Sequence, residues 1–337
     1  MLATKTELMT AVVQETYGGA EVLKVAERSV PAPKADQVLI EVEAAGLDRG
    51  TWHLMHGIPY IIRPAFGFRR PRQPIPGRDV AGRVASVGSS VTEFEVGDRV
   101  LGIAPGSFAE YALTKVDKLV SLPSGMTPVE AAALGISGLT ALGAVIDKGG
   151  VEAGQQVLVT GAAGGVGSYA VQIAAAQGAH VTGVCSEGKG EYVTALGADH
   201  ILDYTRESIA TTDSPYDVIV DIAGMTPVKE LRQSLTPTGT IVLVGGEGSN
   251  RWTSGFGRTV RAAAKSPFIK QNLVMMLASE SALDLQRLVQ LLGAGKIHVP
   301  IDSVYPLDQT AEAMRRLESG AAHGKIGIEV NGEIRGS

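Results

Sequence analysis

The sequence predicts an α/β protein in two parts, a small antiparallel β-barrel or sandwich followed by a doubly wound parallel sheet. Three observations carry that expectation. Residues 10–121 read as short strands separated by turns; residues 155–178, QQVLVTGAAGGVGSYAVQIAAAQG, read as buried strand, glycine-rich turn and packed helix; and after them strand-like and helix-like stretches alternate. With 337 residues and 35.0 kDa, the chain supplies about two domains, each with a full core.

In the first part, residues 37–45 (QVLIEVEAA) set Val38, Ile40 and Val42 against Glu41 and Glu43, the alternation of a half-buried antiparallel strand. Residues 79–87 and 99–102 continue the pattern, with Val96-Gly97-Asp98 marking a turn. Residues 52–76 hold too many Pro and Gly for a continuous helix, and a loop this long and aromatic is often functional. Residues 127–148 then read as helical, with Thr127 as N-cap, Pro128 at N1 and Glu130 at N3.

In the second part, strands are expected at 180–184, 200–202, 217–221 and 240–244, helices at 190–196 and 227–234, and a last edge strand within 268–277. Two amphipathic helices, 282–292 and 309–317, and a strand at 325–330 close the chain, and this tail is expected to return to the first domain. The boundaries follow: a first domain of residues 1–125 completed by 279–337, and a second of 126–278.

The turn at 160–167 is where chemistry starts. Glycines let backbone N–H groups approach an anion at a helix N-terminus, where unpaired donors and the helix dipole favour negative charge. Against G-x-G-x-x-G the register is Ala162-Ala163-Gly164-Gly165-Val166-Gly167, with Gly161 beside the missing first glycine. A dinucleotide pyrophosphate fits there; the competing reading is a turn that only packs helix on sheet.

Net charge is −5, unevenly placed. Residues 49–78 hold six arginines and no acid, and 248–279 hold five Arg/Lys and no acid, which leaves 19 basic residues against 35 acidic ones elsewhere. No nucleic-acid partner is expected. No apolar run is read as approaching the ~20 residues of a bilayer span, so stable membrane insertion is not expected. The segment MLATKTELMT lacks a signal-peptide core, and a cytoplasmic address is the expectation. A single cysteine, Cys185, rules out an intramolecular disulfide, and its place at a strand end reads as a small apolar residue rather than a nucleophile.

As a set, Gly77-Arg78-Asp79-Val80-Ala81-Gly82, Val96-Gly97-Asp98-Arg99-Val100, Gly138-Leu139-Thr140-Ala141 and the glycine turn resemble the medium-chain dehydrogenase/reductase superfamily. Ala162 to Gly167 and Leu196-Gly197-Ala198-Asp199-His200 resemble its zinc-independent quinone oxidoreductase branch most. The resemblance implies a GroES-like β-barrel catalytic domain, a Rossmann domain and NADPH. Where zinc-dependent relatives carry a ligand cysteine this chain has Asp48, and where they carry His it has Arg78, a cation that would repel a metal. His53 and His56 lack further ligands and read as a loop pair, so no metal site is expected.

Site residues follow from the same resemblance. Ala163, Gly164, Gly165, Val166 and Gly167 would hold the pyrophosphate. Ser186, Lys189 and Tyr204 would hold the adenosine 2'-phosphate, Cys185 standing where NAD binders usually place an acid; Lys189 as a solvated charge is the alternative. Thr140, Gly245 and Gly246 would flank the nicotinamide. Tyr60 is the candidate proton donor or an aromatic wall residue, and Asp48 would meet a substrate hydroxyl or pair with Arg49 or Arg78.

Without a metal, an already electrophilic acceptor is favoured, a quinone or an α,β-unsaturated carbonyl. Two alternatives stand: an enoyl-thioester or polyketide-pathway reductase, whose acyl-thioester or acidic carrier protein would meet the cationic segments, and a catalytically silent NADPH-binding protein. A homodimer is expected through the edge strand near Leu273 to Leu277.

Overall fold

The computed structural model describes residues 7–330 apart from 210–213, 247–250, 265, 267, 268 and 277. Strands β1 (Leu8–Val13) and β2 (Lys24–Ser29) form an antiparallel pair, and β3 (Gln37–Leu47), β4 (Asp79–Val87), β5 (Arg99–Ile103), β6 (Tyr111–Lys115) and β7 (Leu119–Ser121) build the catalytic-domain sheet. On β3 the apolar positions point where the alternation puts them: Val38, Ile40 and Val42 are fully buried with Val80 and Val100, while Glu41 and Glu43 remain half-exposed. Between β3 and β4 the chain forms α1 (Arg49–His56) and α2 (Arg63–Phe66), so the Pro/Gly-rich stretch 52–76 opens within one helix and holds a second, short one, broken between them as the Pro and Gly content requires.

Helix α3 (Pro128–Leu142) starts with the expected capping box: Thr127 Oγ1 accepts from the Glu130 N–H, and the Glu130 carboxylate accepts from Thr127 N–H at 2.9 Å. It bends at Gly135, whose ψ of −111° is not helical, and continues as a π-helical turn, Gly143–Lys148. Residues Pro128–Lys148 are long and apolar enough by composition to cross a bilayer, which corrects the expectation that no run reaches that length. Most of this helix is buried inside the protein, the place of a core helix.

The second domain is a six-stranded sheet of β8 (Gln156–Thr160), β9 (His180–Cys185), β10 (His200–Asp203), β11 (Tyr216–Asp221), β12 (Leu235–Leu243) and β13 (Asn272–Met275). Its order is β10-β9-β8-β11-β12-β13, parallel throughout. Val157, Leu158 and Val159 are completely buried, as a strand covered on both faces by helices must be. Helices α4 (Gly165–Ala176), α5 (Gly190–Ala195), α6 (Val228–Gln233) and α7 (Phe256–Ala263) make the connections. Strand β13 is shorter than the 268–277 expected, and Phe268 and Leu277 lie outside the described residues.

After α8 (Ala282–Gly293) come β14 (Ile301–Pro306), α9 (Thr310–Glu318) and β15 (Lys325–Glu329). β15 pairs antiparallel with β3, Ile326 opposite Leu47, so the tail completes the first sheet.

Candidate cofactor and active site

The order of the parallel sheet reverses at β8, which has β9 on one side and β11 on the other. Ligands of open α/β sheets bind outside the strand ends at such a point. There Gly161 turns with φ +68°, and a Cβ at Gly167 would sit 2.1 Å from the Gly161 carbonyl oxygen. Glycine is therefore required at 167 for the helix to approach the turn. Gly164 caps α4 with extended backbone and no side-chain hydrogen bond, so the N–H groups at 165–167 face no capping oxygen. Ala163 is buried, Gly165 and Val166 are half-buried, and Gly164 is exposed at the mouth. This is a cradle for an anion. From the catalytic domain, Gly324 N–H donates to Ala163 O at 2.9 Å and pins the loop.

At the end of β9, Cys185 is buried and burial raises its thiol pKa, in keeping with a small apolar residue. Ser186 follows half-buried, and Tyr204 is exposed just after β10. Lys189 is not a freely solvated charge: its ammonium donates to Gly320 O at 2.7 Å and Ala322 O at 3.0 Å, and burial lowers its pKa. Two acids border this corner, Glu187 and Asp203, the latter opposite Cys185 in the sheet register, and both pair with Arg206.

Near the other end, Thr140 is half-buried and its hydroxyl donates back to Ile136 O at 2.7 Å. Gly245 and Gly246 are held by close main chain: a Cβ at 245 would lie 1.7 Å from Ile222 O, and Gly255 N–H donates to Gly246 O at 2.7 Å. Beneath them is a network that sequence reasoning missed. The carboxylate of Asp221, fully buried at the end of β11, accepts from Thr160 Oγ1 at 2.9 Å and pairs with Arg258 of α7 at 2.8 Å. A separate cavity of about 520 Å³, lined by Lys229, Arg232 and Lys270 among others, opens where β12 and β13 begin, at the opposite end of the sheet.

On the catalytic side, Asp48 is the N-cap of α1: its oxygens accept from Thr51 N–H at 2.9 Å and Thr51 Oγ1 at 2.7 Å. Pairing with Arg78 is corrected, because Arg78 pairs with Glu280. His53 and His56 sit on the last turn of α1 rather than in a loop, and His56 Nδ1 lies 3.0 Å from Trp52 O. The Tyr60 ring meets Trp252 edge-on at 5.8 Å, with the Arg63 guanidinium 4.2 Å over its face. Tyr60 N–H donates to Arg251 O at 2.9 Å, so the two cationic segments touch.

A second missed cluster lies at the bend of α3. Lys325 Nζ donates to Leu47 O at 3.0 Å, Ser137 Oγ at 3.0 Å and Asp79 Oδ2 at 3.2 Å, while Asp79 Oδ1 accepts from Ile136 N–H at 2.6 Å. Both charged side chains are buried. Burial pushes Asp79 up to about 6; Lys325 pulls it down and the Asp48 charge pushes it up.

Comparison with known proteins decides the lineage. Residues 34–124 match the model of the alcohol dehydrogenase GroES-like domain, and 196–326 that of the zinc-binding dehydrogenases. The chain is 35% identical to the chloroplast envelope quinone oxidoreductase homolog of Arabidopsis thaliana, over 96% of this chain and 99% of that one. This protein belongs to the quinone oxidoreductase-like branch of the medium-chain dehydrogenase/reductase superfamily. Its fold superposes on the quinone oxidoreductase from Coxiella burnetii with a TM-score of 0.85 at 27% identity, covering 96% and 100% of the two chains. For the mycobacterial Rv1454c complexed with NADPH the TM-score is 0.81 at 25% identity, with the same coverage. The zinc of the family model's description does not fit this quinone oxidoreductase relative. Asp48 is a helix cap, Arg78 is a cation, Cys185 lies in the other domain, and among the described residues no three His, Cys, Asp or Glu side chains are grouped to hold a metal.

Proposed function

We propose that the protein is an NADPH-dependent oxidoreductase that transfers hydride to a quinone or an α,β-unsaturated carbonyl. The observation that carries the reading is the uncapped glycine turn at the reversal of the parallel sheet, facing a catalytic domain whose side chains do not suit zinc. The N–H groups from Ala163 to Gly167 would hold the pyrophosphate, and bound NADPH would supply the hydride. Ser186, Lys189 and Tyr204 would receive the 2'-phosphate: two of the three Lys189 N–H donors are engaged, leaving one for a phosphate oxygen. Thr140, Gly245 and Gly246 would line the nicotinamide. Tyr60, beside Trp252 and under Arg63, would donate the proton, and Asp48 would act by fixing the start of α1 at the cleft. An acceptor that is already electrophilic needs only positioning, exclusion of water and a proton.

To the same reading belong a cytoplasmic location and a homodimer through the outer edge of β13, which pairs only β12 among the described residues. The test is NADPH oxidation with a panel of para-quinones, conjugated alkenals and crotonyl-CoA. Turnover of quinones or alkenals is expected. Turnover of the thioester alone would make the protein an enoyl-thioester reductase, and tight NADPH binding with no turnover of any acceptor would make it a silent cofactor-binding protein.

A further inference from the structure

The two acid-free segments, about 170 residues apart in sequence, meet at one junction. Tyr60 N–H donates to Arg251 O at 2.9 Å and Ile61 N–H to Trp252 O at 3.2 Å, so the first N–H groups of the 3-10 turn Tyr60–Ile62 are capped by the carbonyls of the turn at 251–255. Arg63 braces this junction from inside. Its guanidinium lies over the rings of Tyr17 and Tyr60, and its Nε donates to Gly57 O at 2.9 Å.

Outward, the same junction presents large apolar side chains to water. Phe68 is 74% exposed and Trp252 70%, with Ile61 and Phe66 each about half exposed. From Pro64 to Arg70 every residue but Gly67 is exposed, so this stretch turns its side chains to water. Around it Arg69, Arg70, Arg72 and Arg251 are exposed, and none of the four is ion-paired with an acid among the described residues. Arg78 and Arg258 of the same segments pair with the acids Glu280 and Asp221 and are the less exposed.

Each feature selects the same occupant. Clustered exposed apolar side chains rimmed by charge mark an interaction surface. Exposed aromatics with arginines beside them suit a lipid interface, where rings enter the headgroup layer and guanidinium groups meet phosphates. Outside the two segments the chain carries 19 basic and 35 acidic residues, so an anionic sheet attracts this face and repels the rest, which also fixes orientation. We propose that the Tyr60–Arg72 loop and the Arg251–Trp252 turn together form a docking surface for anionic phospholipid bilayers. The mouth of the cleft would then open toward the membrane. Docking is independent of the reductase reading, since it is measured without turnover.

The experiment is co-sedimentation of the full chain with vesicles of phosphatidylcholine alone and with about 30% phosphatidylserine. Binding is expected to the anionic vesicles only and to fall steeply with salt. Arg69→Ala with Arg70→Ala is expected to weaken it about 30-fold, ~1 kcal/mol for each guanidinium, with the melting temperature unchanged. In a Trp52→Phe background, brominated lipid should quench the fluorescence of Trp252, placing that ring in the bilayer. Equal binding to both vesicle types, no binding to either, or an unquenched Trp252 would each overturn the proposal. Retention on an immobilised acidic acyl carrier protein without vesicle binding would overturn it too, and assign the surface to a protein.

Discussion

Replacing Lys325 with Met keeps the length and apolar stem of the side chain and deletes its charge. In the parent, all three N–H groups of Nζ are used, on Leu47 O, Ser137 Oγ and Asp79 Oδ2, within a site that is 1% exposed at Lys325 and 0% at Asp79. In the variant the Asp79 carboxylate keeps the Ile136 N–H but loses its cation, and Leu47 O loses this donor. Removing one partner of a buried pair costs about 3–5 kcal/mol, a large share of a total stability of ~5–15 kcal/mol. The defect has a definite pH dependence. Burial, the largest influence, already holds Asp79 at about 6, above its unfolded value, so its proton stabilises the native state fully below the unfolded pKa and that contribution is lost as pH rises through the folded one. Without Lys325 the folded pKa rises further. The loss is therefore expected to be greatest near pH ~7.5 and to shrink toward pH ~5, where Asp79 is neutral in the variant. Urea unfolding at the two pH values measures it, and adding Asp79→Asn should restore part of the stability at the higher pH. A loss below about 1 kcal/mol at neutral pH, or one of the same size at both pH values, would refute the reasoning.

Gly167→Ala would place a methyl 2.1 Å from Gly161 O and is expected to weaken NADPH binding at least tenfold, ~1.4 kcal/mol; Gly293→Ala, which meets nothing within 4 Å, is the control expected to leave titrations unchanged. Lys189→Ala is expected to cut NADPH affinity about tenfold while sparing NADH, and parallel losses for both cofactors would reduce Lys189 to a pin on the carbonyls of Gly320 and Ala322. Asp48→Ala should cost about 1 kcal/mol by thermal or urea unfolding as a lost cap, with Asp48→Asn nearly neutral in stability and turnover; a tenfold loss of turnover in the Asn variant would give the carboxylate a chemical role. Dialysis against chelator should change neither activity nor melting temperature, and recovery of lost activity on adding zinc would contradict the side-chain reading of the site.

What could be read from sequence was what local pattern encodes. Thr127, Pro128 and Glu130 announce the start of α3, and the glycines around 161–167 announce the turn, because each signal is complete within a few residues. Helix α1 carried its own signals, Asp48 before it and Gly57 after it at φ +59°, but they were submerged in a stretch dominated by Pro and Gly. Strand β14 has no fully buried residue, so no apolar alternation marks it. The Lys325–Asp79 and Arg258–Asp221 pairs join residues far apart in the chain, and nothing local says which acid a given cation meets. The same limit held for Lys189, whose cation was legible and whose carbonyl partners were not.

The pairing of β15 with β3 also sets the order in which the protein can be finished during synthesis. Lys325 and Leu47 are 278 positions apart, and at ~5–20 residues per second the ribosome needs roughly 15–60 s to supply one after the other. Throughout that interval the Ala44–Leu47 end of β3 lacks its neighbour on one side, a bare edge ready to pair with another chain. Strands β8 to β13 are contiguous in sequence and can assemble while the edge waits. The domain that begins first is thus completed last, and a chain cut short before residue 325 is expected to pair the strands of its cofactor domain while leaving the Ala44–Leu47 edge of the other domain open to a second chain.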